Sequence, residues 1–292
     1  MDQAEKLRNV VKLKNQNNKP DARVITITSG KGGVGKSNVA VNLAVQMKKL
    51  GKRVIVFDAD FGLANVEVMF GAVPKYNLSD LIYHGKSIAD IIAEGPMGIG
   101  FISGGTGITA LNDLTQDQVF YMVKCLGELD RLADIILIDT GAGISSHVME
   151  FVMASPEVLL VSTPEPSSLT DSYSLLKALY LNPRFDRQST QISVLANRAA
   201  SADEGKALYD KLNSVVGQFL QGEIGYAGMI PQDAALEKAV RLQKTVSLNA
   251  PSSKSARAFE TVAAELLDCE QKPVSVSFGI SKLFSDFWKQ KN

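Results

Sequence analysis

Cysteine is almost missing from this 292-residue chain: the two present, Cys125 and Cys269, lie far apart and without C-x-x-C spacing. That argues against a disulfide framework, a zinc site and a bridging iron–sulfur cluster, and leaves two reduced thiols in or near a core. A net charge is missing too, since 31 Lys and Arg balance 31 Asp and Glu. Any attraction to nucleic acid or anionic lipid must therefore come from local patches rather than a global field. No stretch approaches the roughly 18 apolar residues of a membrane span. The opening "MDQAEKLR" is too polar for a secretory signal. A cytoplasmic protein is expected.

What the chain does have is apolar material, 45% of its residues, enough for one large α/β domain or two smaller ones. Residues 1–8 form a short polar element, and "NVVKLKNQNNKPD" reads as a basic, Asn-rich linker that ends at the helix-breaking Pro20. From Asp21 onward, seven short apolar runs read as buried strands: "RVITIT", "RVIVFDAD", "IGFISGG", "DIILIDTG", "EVLLVSTP", "QISVLANR" and "GYAGMIP". Helix-like stretches fall between or after them at 37–50, 115–132, 167–181, 202–220, 233–242 and 252–268. Strands buried on both faces and alternating with amphipathic helices imply an α/β fold, a single doubly wound, mostly parallel sheet with helices on both faces. Ligands bind at the carboxyl ends of such strands. The expected organisation is an N-terminal element and linker over 1–20, a nucleotide-binding domain over 21–272, and a linker with a terminal amphipathic helix over 273–292.

"GKGGVGKS" fits G-x-x-x-x-G-K-[ST] between a strand and a helix, the context that makes this phosphate-loop pattern specific. The backbone N–H groups of Gly33, Val34, Gly35, Lys36 and Ser37 can wrap phosphates at a helix N-terminus. Gly32 and Asn38 flank that cradle and complete the candidate cofactor-binding stretch. Lys36 meets the β- and γ-phosphates and the Ser37 hydroxyl binds magnesium. "DIILIDTGAGIS" has four apolar residues before Asp139, the form of a carboxylate that holds magnesium through water. The general pattern does not demand Lys31, which on its own reads as a solvated side chain.

With both lysines, "KGGVGKS" closely resembles the deviant Walker A motif of the MinD/ParA ATPases. The resemblance implies that Lys31 reaches the phosphates of the other subunit in a nucleotide-sandwich homodimer formed with ATP, while Lys36 serves its own nucleotide. It implies a magnesium-dependent ATP hydrolase that is monomeric when empty or ADP-bound. The stretch "RVIVFDADFGLANVEVMFG" is similar to that family's switch I, so Asp60 positions the attacking water and Asn65 is a nucleotide-side contact. A capping role for Asp60 is the structural alternative. Asn197 and Arg198 in "LANR", with Pro231, Gln232 and Asp233 in "MIPQD", correspond to adenine-holding stretches, though either is also readable as an ordinary loop.

The two ends carry their own signals. In "FGISKLFSDFWKQK", Ile280, Leu283, Phe284 and Phe287 recur at helical spacing with Trp288 beside them and Phe278 ahead, flanked by Lys282, Lys289 and Lys291. Such a helix lies in an anionic membrane interface or docks in a groove. MinD proteins also end in a membrane-targeting helix, which implies peripheral attachment at the inner face of the membrane in the ATP state. At the other end, Asp2, Gln3, Ala4, Leu7 and Arg8 match the D-Q-A-x-x-L-R motif of the FlhG family (also called YlxH or FleN), MinD-like regulators of flagellar number and placement. That resemblance implies stimulation of the FlhF GTPase and contact with flagellar C-ring proteins of the FliM/FliY type, with no nucleic acid partner. A division-site MinD, a DNA-partitioning ParA and a non-hydrolysing scaffold are the rival readings.

Overall fold

The structure is a computed structural model in which residues 21–60, 65–105, 115–268, 279, 280, 283 and 284 are described. All seven expected strands form: β1 (Arg23–Ser29), β2 (Val54–Ala59), β4 (Gly100–Ser103), β5 (Ile135–Ala142), β6 (Glu157–Ser162), β7 (Gln191–Ala199) and β8 (Gly225–Pro231). An eighth, β3 (Ala93–Glu94), is two residues long and pairs antiparallel with β4 at the edge. The order across the sheet is β3-β4-β2-β5-β1-β6-β7-β8.

The helices are α1 (Lys36–Lys49), α2 (Asn65–Phe70), α3 (Leu78–Tyr83), α4 (Ile88–Ile91), α5 (Gln116–Leu126), α6 (Leu129–Leu132), α7 (Ser146–Ala154), α8 (Pro166–Tyr180), α9 (Ala202–Val215), α10 (Ala234–Arg241), α11 (Val246–Asn249) and α12 (Lys254–Asp268). The expected helix over 115–132 is interrupted at Gly127 and Glu128, and the one over 202–220 finishes as a π-turn at Val216–Leu220. Capping boxes start α3, α4 and α5 through Asn77, Ser87 and Thr115, which satisfies N–H groups that the first helical turn leaves open.

Alternate strand residues feed opposite cores. Ile25, Ile27, Leu137 and Val161 meet α1, α2 and α10–α12 on one face. On the other, Val24, Ile136 and Ile138 meet α3–α7, and Val158, Leu160 and Val194 meet α7–α9. Burial on both sides is why β1, β2, β5 and β6 read as nearly unbroken apolar runs. Cys125 is a buried free thiol, as expected, and Cys269 lies outside the described residues.

Part of the terminal helix completes the α3–α7 core. Ile280, Leu283 and Phe284 are fully buried in it. Phe284 makes edge-to-face contacts with Phe57 of β2 and Phe151 of α7, at ring-centroid distances of 5.7 and 5.6 Å. The Ile280 N–H donates to Asp130 Oδ1 at 3.1 Å, so a carboxylate from α6 holds the start of this segment. Three of the residues expected to face lipid, Ile280, Leu283 and Phe284, are thus docked against the domain, the groove arrangement that periodicity alone left open. Phe278, Phe287 and Trp288, and the N-terminal Asp2, Gln3, Ala4, Leu7 and Arg8, lie outside the described residues. Among the described residues, no helix is long and apolar enough to cross a membrane.

Candidate nucleotide site

The phosphate loop connects β1 to α1 at the carboxyl edge of the sheet. Gly33 and Gly35 have φ of 77° and 99°, a left-handed backbone that glycine adopts without strain. Gly30 is required for closeness: a Cβ there would fall 2.1 Å from the backbone of Asp171 in α8. Gly32 and Gly33 are exposed, Val34 is buried, and Ser37 and Asn38 are half-buried at the helix start.

The two lysines take different places. Lys36 is buried, and its Nζ donates to Ser29 Oγ at 3.0 Å. Burial lowers its pKa, against the pull of Asp139 and Asp60. Lys31 sits on the rim, its Nζ donating to Glu165 Oε2 at 3.0 Å and to Ser167 Oγ at 2.6 Å, both at the start of α8.

Asp58 and Asp139 are register partners on β2 and β5, and both are buried. Asp58 is well above the usual carboxylate range because of burial and the charge of Asp139; N–H donors at Val66 and Asp60 oppose the shift. Its carboxylate accepts from Asp60 N at 3.1 Å and Val66 N at 3.2 Å, tying the residue after β2 to the first turn of α2. Burial pushes Asp139 up to about 7, with Ser37 and Lys36 drawing it back and Asp60 adding to the rise. The Ser37 hydroxyl is near enough to stabilise the charge, but neither Asp139 oxygen meets a donor at full hydrogen-bond geometry. A buried carboxylate with two unmet acceptors beside a hydroxyl suits a hard, oxygen-seeking divalent cation.

Asp60 is half-buried, its pKa raised by burial and drawn down by Lys36. Its Oδ2 accepts from Asn65 Nδ2 at 3.2 Å. On its other side lies Gly141, where an added Cβ would stand 3.2 Å from Asp60 Oδ1. Glycine at 141 thus lets the ends of β2 and β5 approach, and Asn65 orients Asp60 from the start of α2.

The two expected base stretches reach the loop unequally. Asn197 is buried, donates from Nδ2 to Val34 O at 2.7 Å, and keeps a buried Oδ1 without a partner. Arg198, with φ of 59°, donates to Gly33 O at 2.8 Å. Pro231 ends β8, and the Gln232 N–H donates to Ala199 O at 3.0 Å. The Asp233 carboxylate caps α10 through Ala235 N at 2.9 Å and holds Ser255 N and Oγ at 2.9 and 2.8 Å. Burial alone would raise its pKa, but these donors outweigh it and lower it. Its side chain is thus committed to the fold, a role that its place in "MIPQD" does not announce.

Ser29, Asp58, Glu165 and Ser167 are the site residues that the sequence reading passed over. Asp58 had a signal, two positions before Asp60 at a strand end. Glu165 and Ser167 had none, being more than 130 residues from Lys31 in the chain.

The family model for the CobQ/CobB/MinD/ParA nucleotide binding domain matches residues 25–246. Antiactivator FleN of Pseudomonas aeruginosa is 41% identical over 84% of this chain and 86% of its own. The flagellum site-determining protein YlxH of Helicobacter pylori is 35% identical over 91% of this chain and 90% of its own. Among solved structures, the septum site-determining protein MinD of Pyrococcus horikoshii, complexed with Mg-ADP, superposes with a TM-score of 0.66 at 23% identity, covering 88% of this chain and all of that one. The loop with two lysines, the buried Asp139 and these similarities together place the chain in the MinD/ParA nucleotide-binding family, within its FlhG (FleN/YlxH) branch.

Proposed function

We propose that this chain is an ATP hydrolase that governs the number and placement of flagella and works as an ATP-dependent homodimer. The observation that carries the catalytic reading is Asp139, buried beside Lys36 with both oxygens unpartnered. Ser37 and Asp139 would hold Mg2+, which when bound neutralises phosphate charge. Lys36, already desolvated, meets the β- and γ-phosphates with its charge little screened. Asp60, oriented by Asn65, positions water for attack on the γ-phosphorus. Lys31 leaves Glu165 and Ser167 to reach a neighbouring subunit's phosphates, so hydrolysis follows assembly and is slow without it.

The flagellar reading is supported by the FleN and YlxH relatives and by "DQAEKLR", which we assign to stimulation of the FlhF GTPase. Contact with FliM/FliY-type C-ring proteins belongs to the same reading. Membrane residence in the ATP state uses the terminal helix, which must first leave Phe57 and Phe151. Two released helices in one dimer bind with avidity. ATP turnover measured with Mg2+ or chelator, and with anionic vesicles, DNA or FlhF added in turn, tests the whole. Hydrolysis that needs Mg2+ and responds to vesicles, and FlhF activity that rises with this protein, are expected. Turnover that responds to DNA alone would favour the ParA reading.

A further inference from the structure

The chain is neutral overall, but its cations are unevenly placed. Residues 234–257 hold five, Lys238, Arg241, Lys244, Lys254 and Arg257, against one carboxylate, Glu237. The fold gathers them on one surface. The Asp233 bonds to Ser255 set the heads of α10 and α12 side by side. The end of α1 joins them, with Gln46 Nε2 donating to Ala256 O at 3.0 Å and Lys49 Nζ to Ser247 O at 2.8 Å. All five cations are exposed, and none makes an ion pair among the described residues. The carboxylates on these helices nearest in the chain are Glu237 and Glu260, both exposed, and Asp233, which Ser255 and Ala235 engage by hydrogen bonds and on which Lys254 acts through its charge without an ion-pair contact.

Exposed aliphatic side chains belong to the same segments or to the turn packed against them. Leu242 is 50% exposed, Leu248 39% and Val73 90%. The turn before Val73 abuts the end of α10, since a Cβ on Gly71 would lie 3.4 Å from Gln243 O. Unpaired cations together with exposed aliphatics match a lipid interface, where ammonium and guanidinium groups meet phosphate and the aliphatics enter the headgroup boundary. Single-stranded nucleic acid would call for aromatic platforms, and the exposed Tyr83, Tyr121 and Phe219 belong to elements on the other face of the sheet.

We propose that the surface formed by α10, α12 and the end of α1 is a second, electrostatic contact with anionic membrane lipid, distinct from the terminal helix. It rests on the membrane reading given above. The α12 helix ends at Asp268 on the same sheet face as the patch, and its 15 residues extend about 22 Å. The connector 269–278 can span about 33 Å when extended. A released terminal helix therefore reaches the bilayer plane on which the patch rests. A single short amphipathic anchor binds marginally, and a basic patch supplies the second signal that stable residence needs.

The test compares the ATP-loaded full chain with its triple variant Arg241→Glu, Lys244→Glu, Lys254→Glu. The vesicles are phosphatidylcholine alone or phosphatidylcholine with about a third phosphatidylglycerol. ATP binding and the unfolding midpoint verify the fold, and the milder pair Arg241→Gln, Lys244→Gln reads the same effect at smaller size. On anionic vesicles near 0.1 M salt, partitioning of the triple variant should fall about tenfold or more, with a shallower salt dependence and no change on neutral vesicles. Equal partitioning of variant and parent on anionic vesicles overturns the proposal and leaves the terminal-helix anchor standing. A variant that loses binding to a random DNA duplex while keeping vesicle binding also overturns it, in favour of a nucleic acid surface. A parent that binds no vesicle removes the membrane reading itself.

Discussion

The Lys31 ammonium is held 3.0 Å from the Glu165 carboxylate of its own chain, while Lys36 is buried inside the phosphate loop. The two lysines are therefore separable by mutation. Lys31→Ala should leave ATP binding by the single chain intact and abolish the ATP-dependent dimer. Lys36→Gln should weaken nucleotide binding itself by about tenfold or more, since a charge-assisted contact to phosphate is lost. Equilibrium dialysis with light scattering separates these outcomes, and a Lys31→Ala protein that still dimerises with ATP would falsify the in-trans role.

Asp60→Ala should slow hydrolysis about a hundredfold, the scale of a positioned polar group in catalysis, and lengthen the life of the ATP dimer. Lys36 and Ser37 are left in place, so nucleotide affinity should hardly change. Single-turnover kinetics check it. Unchanged turnover would make Asp60 a structural residue that only joins Asn65 to the end of β2.

Asp139 fixes a pH dependence. Its folded pKa is raised to about 7, so between the ordinary carboxylate range and 7 the native state binds a proton that the unfolded state has released. Stability of the nucleotide-free protein is thus highest below about pH 4 on this account and falls as pH rises towards 7. Asp58 and Asp60 act with the same sign, both being raised. Asp139→Asn should flatten the fall in denaturation midpoint between about pH 5 and 7. Equal slopes for variant and parent would show that Asp139 titrates normally.

Most of the seven strands were legible because burial on both faces leaves apolar runs, though the edge strand β8 buries only Ala227 and Ile230, and the phosphate loop was legible because its glycines and lysines are contiguous. The strand Ala93–Glu94 was not, since two residues carry no period. Nor was α7, whose "VMEFVMA" is apolar on nearly every side. The contact of Lys31 with Glu165 joins strand ends that only the folded sheet brings together. For Ile280, Leu283 and Phe284 the spacing identified an apolar face, but what covers a face is a tertiary fact.

Phe284 should be costly to remove even without lipid. Phe284→Ala empties a fully buried position between two rings, and such truncations cost about 3–5 kcal/mol. Chemical denaturation of the nucleotide-free protein measures the loss. A change under about 0.5 kcal/mol would mean that the segment is hardly docked in solution.

Removing residues 1–20 should end stimulation of FlhF while ATP-dependent dimerisation persists, and a peptide of those residues alone should accelerate GTP hydrolysis. Gln3→Ala or Arg8→Ala should lower that stimulation. GTP turnover by FlhF with each protein reads the effect. Full stimulation by the shortened chain would remove the role given to "DQAEKLR".

The bond from Asn197 Nδ2 to the Val34 carbonyl fixes which end of that amide faces inward. Turning the amide over would set two oxygens against each other, so its buried Oδ1 is left as an acceptor with fixed polarity. If the base of a bound purine nucleotide lies against it, as proposed, its 6-position would meet an acceptor, which would favour the 6-amino group of adenine over the 6-oxo group of guanine. On the proposed reading, the loop that grips phosphate would thereby bear on the base as well, since a carbonyl of the phosphate cradle holds the Asn197 amide in one orientation.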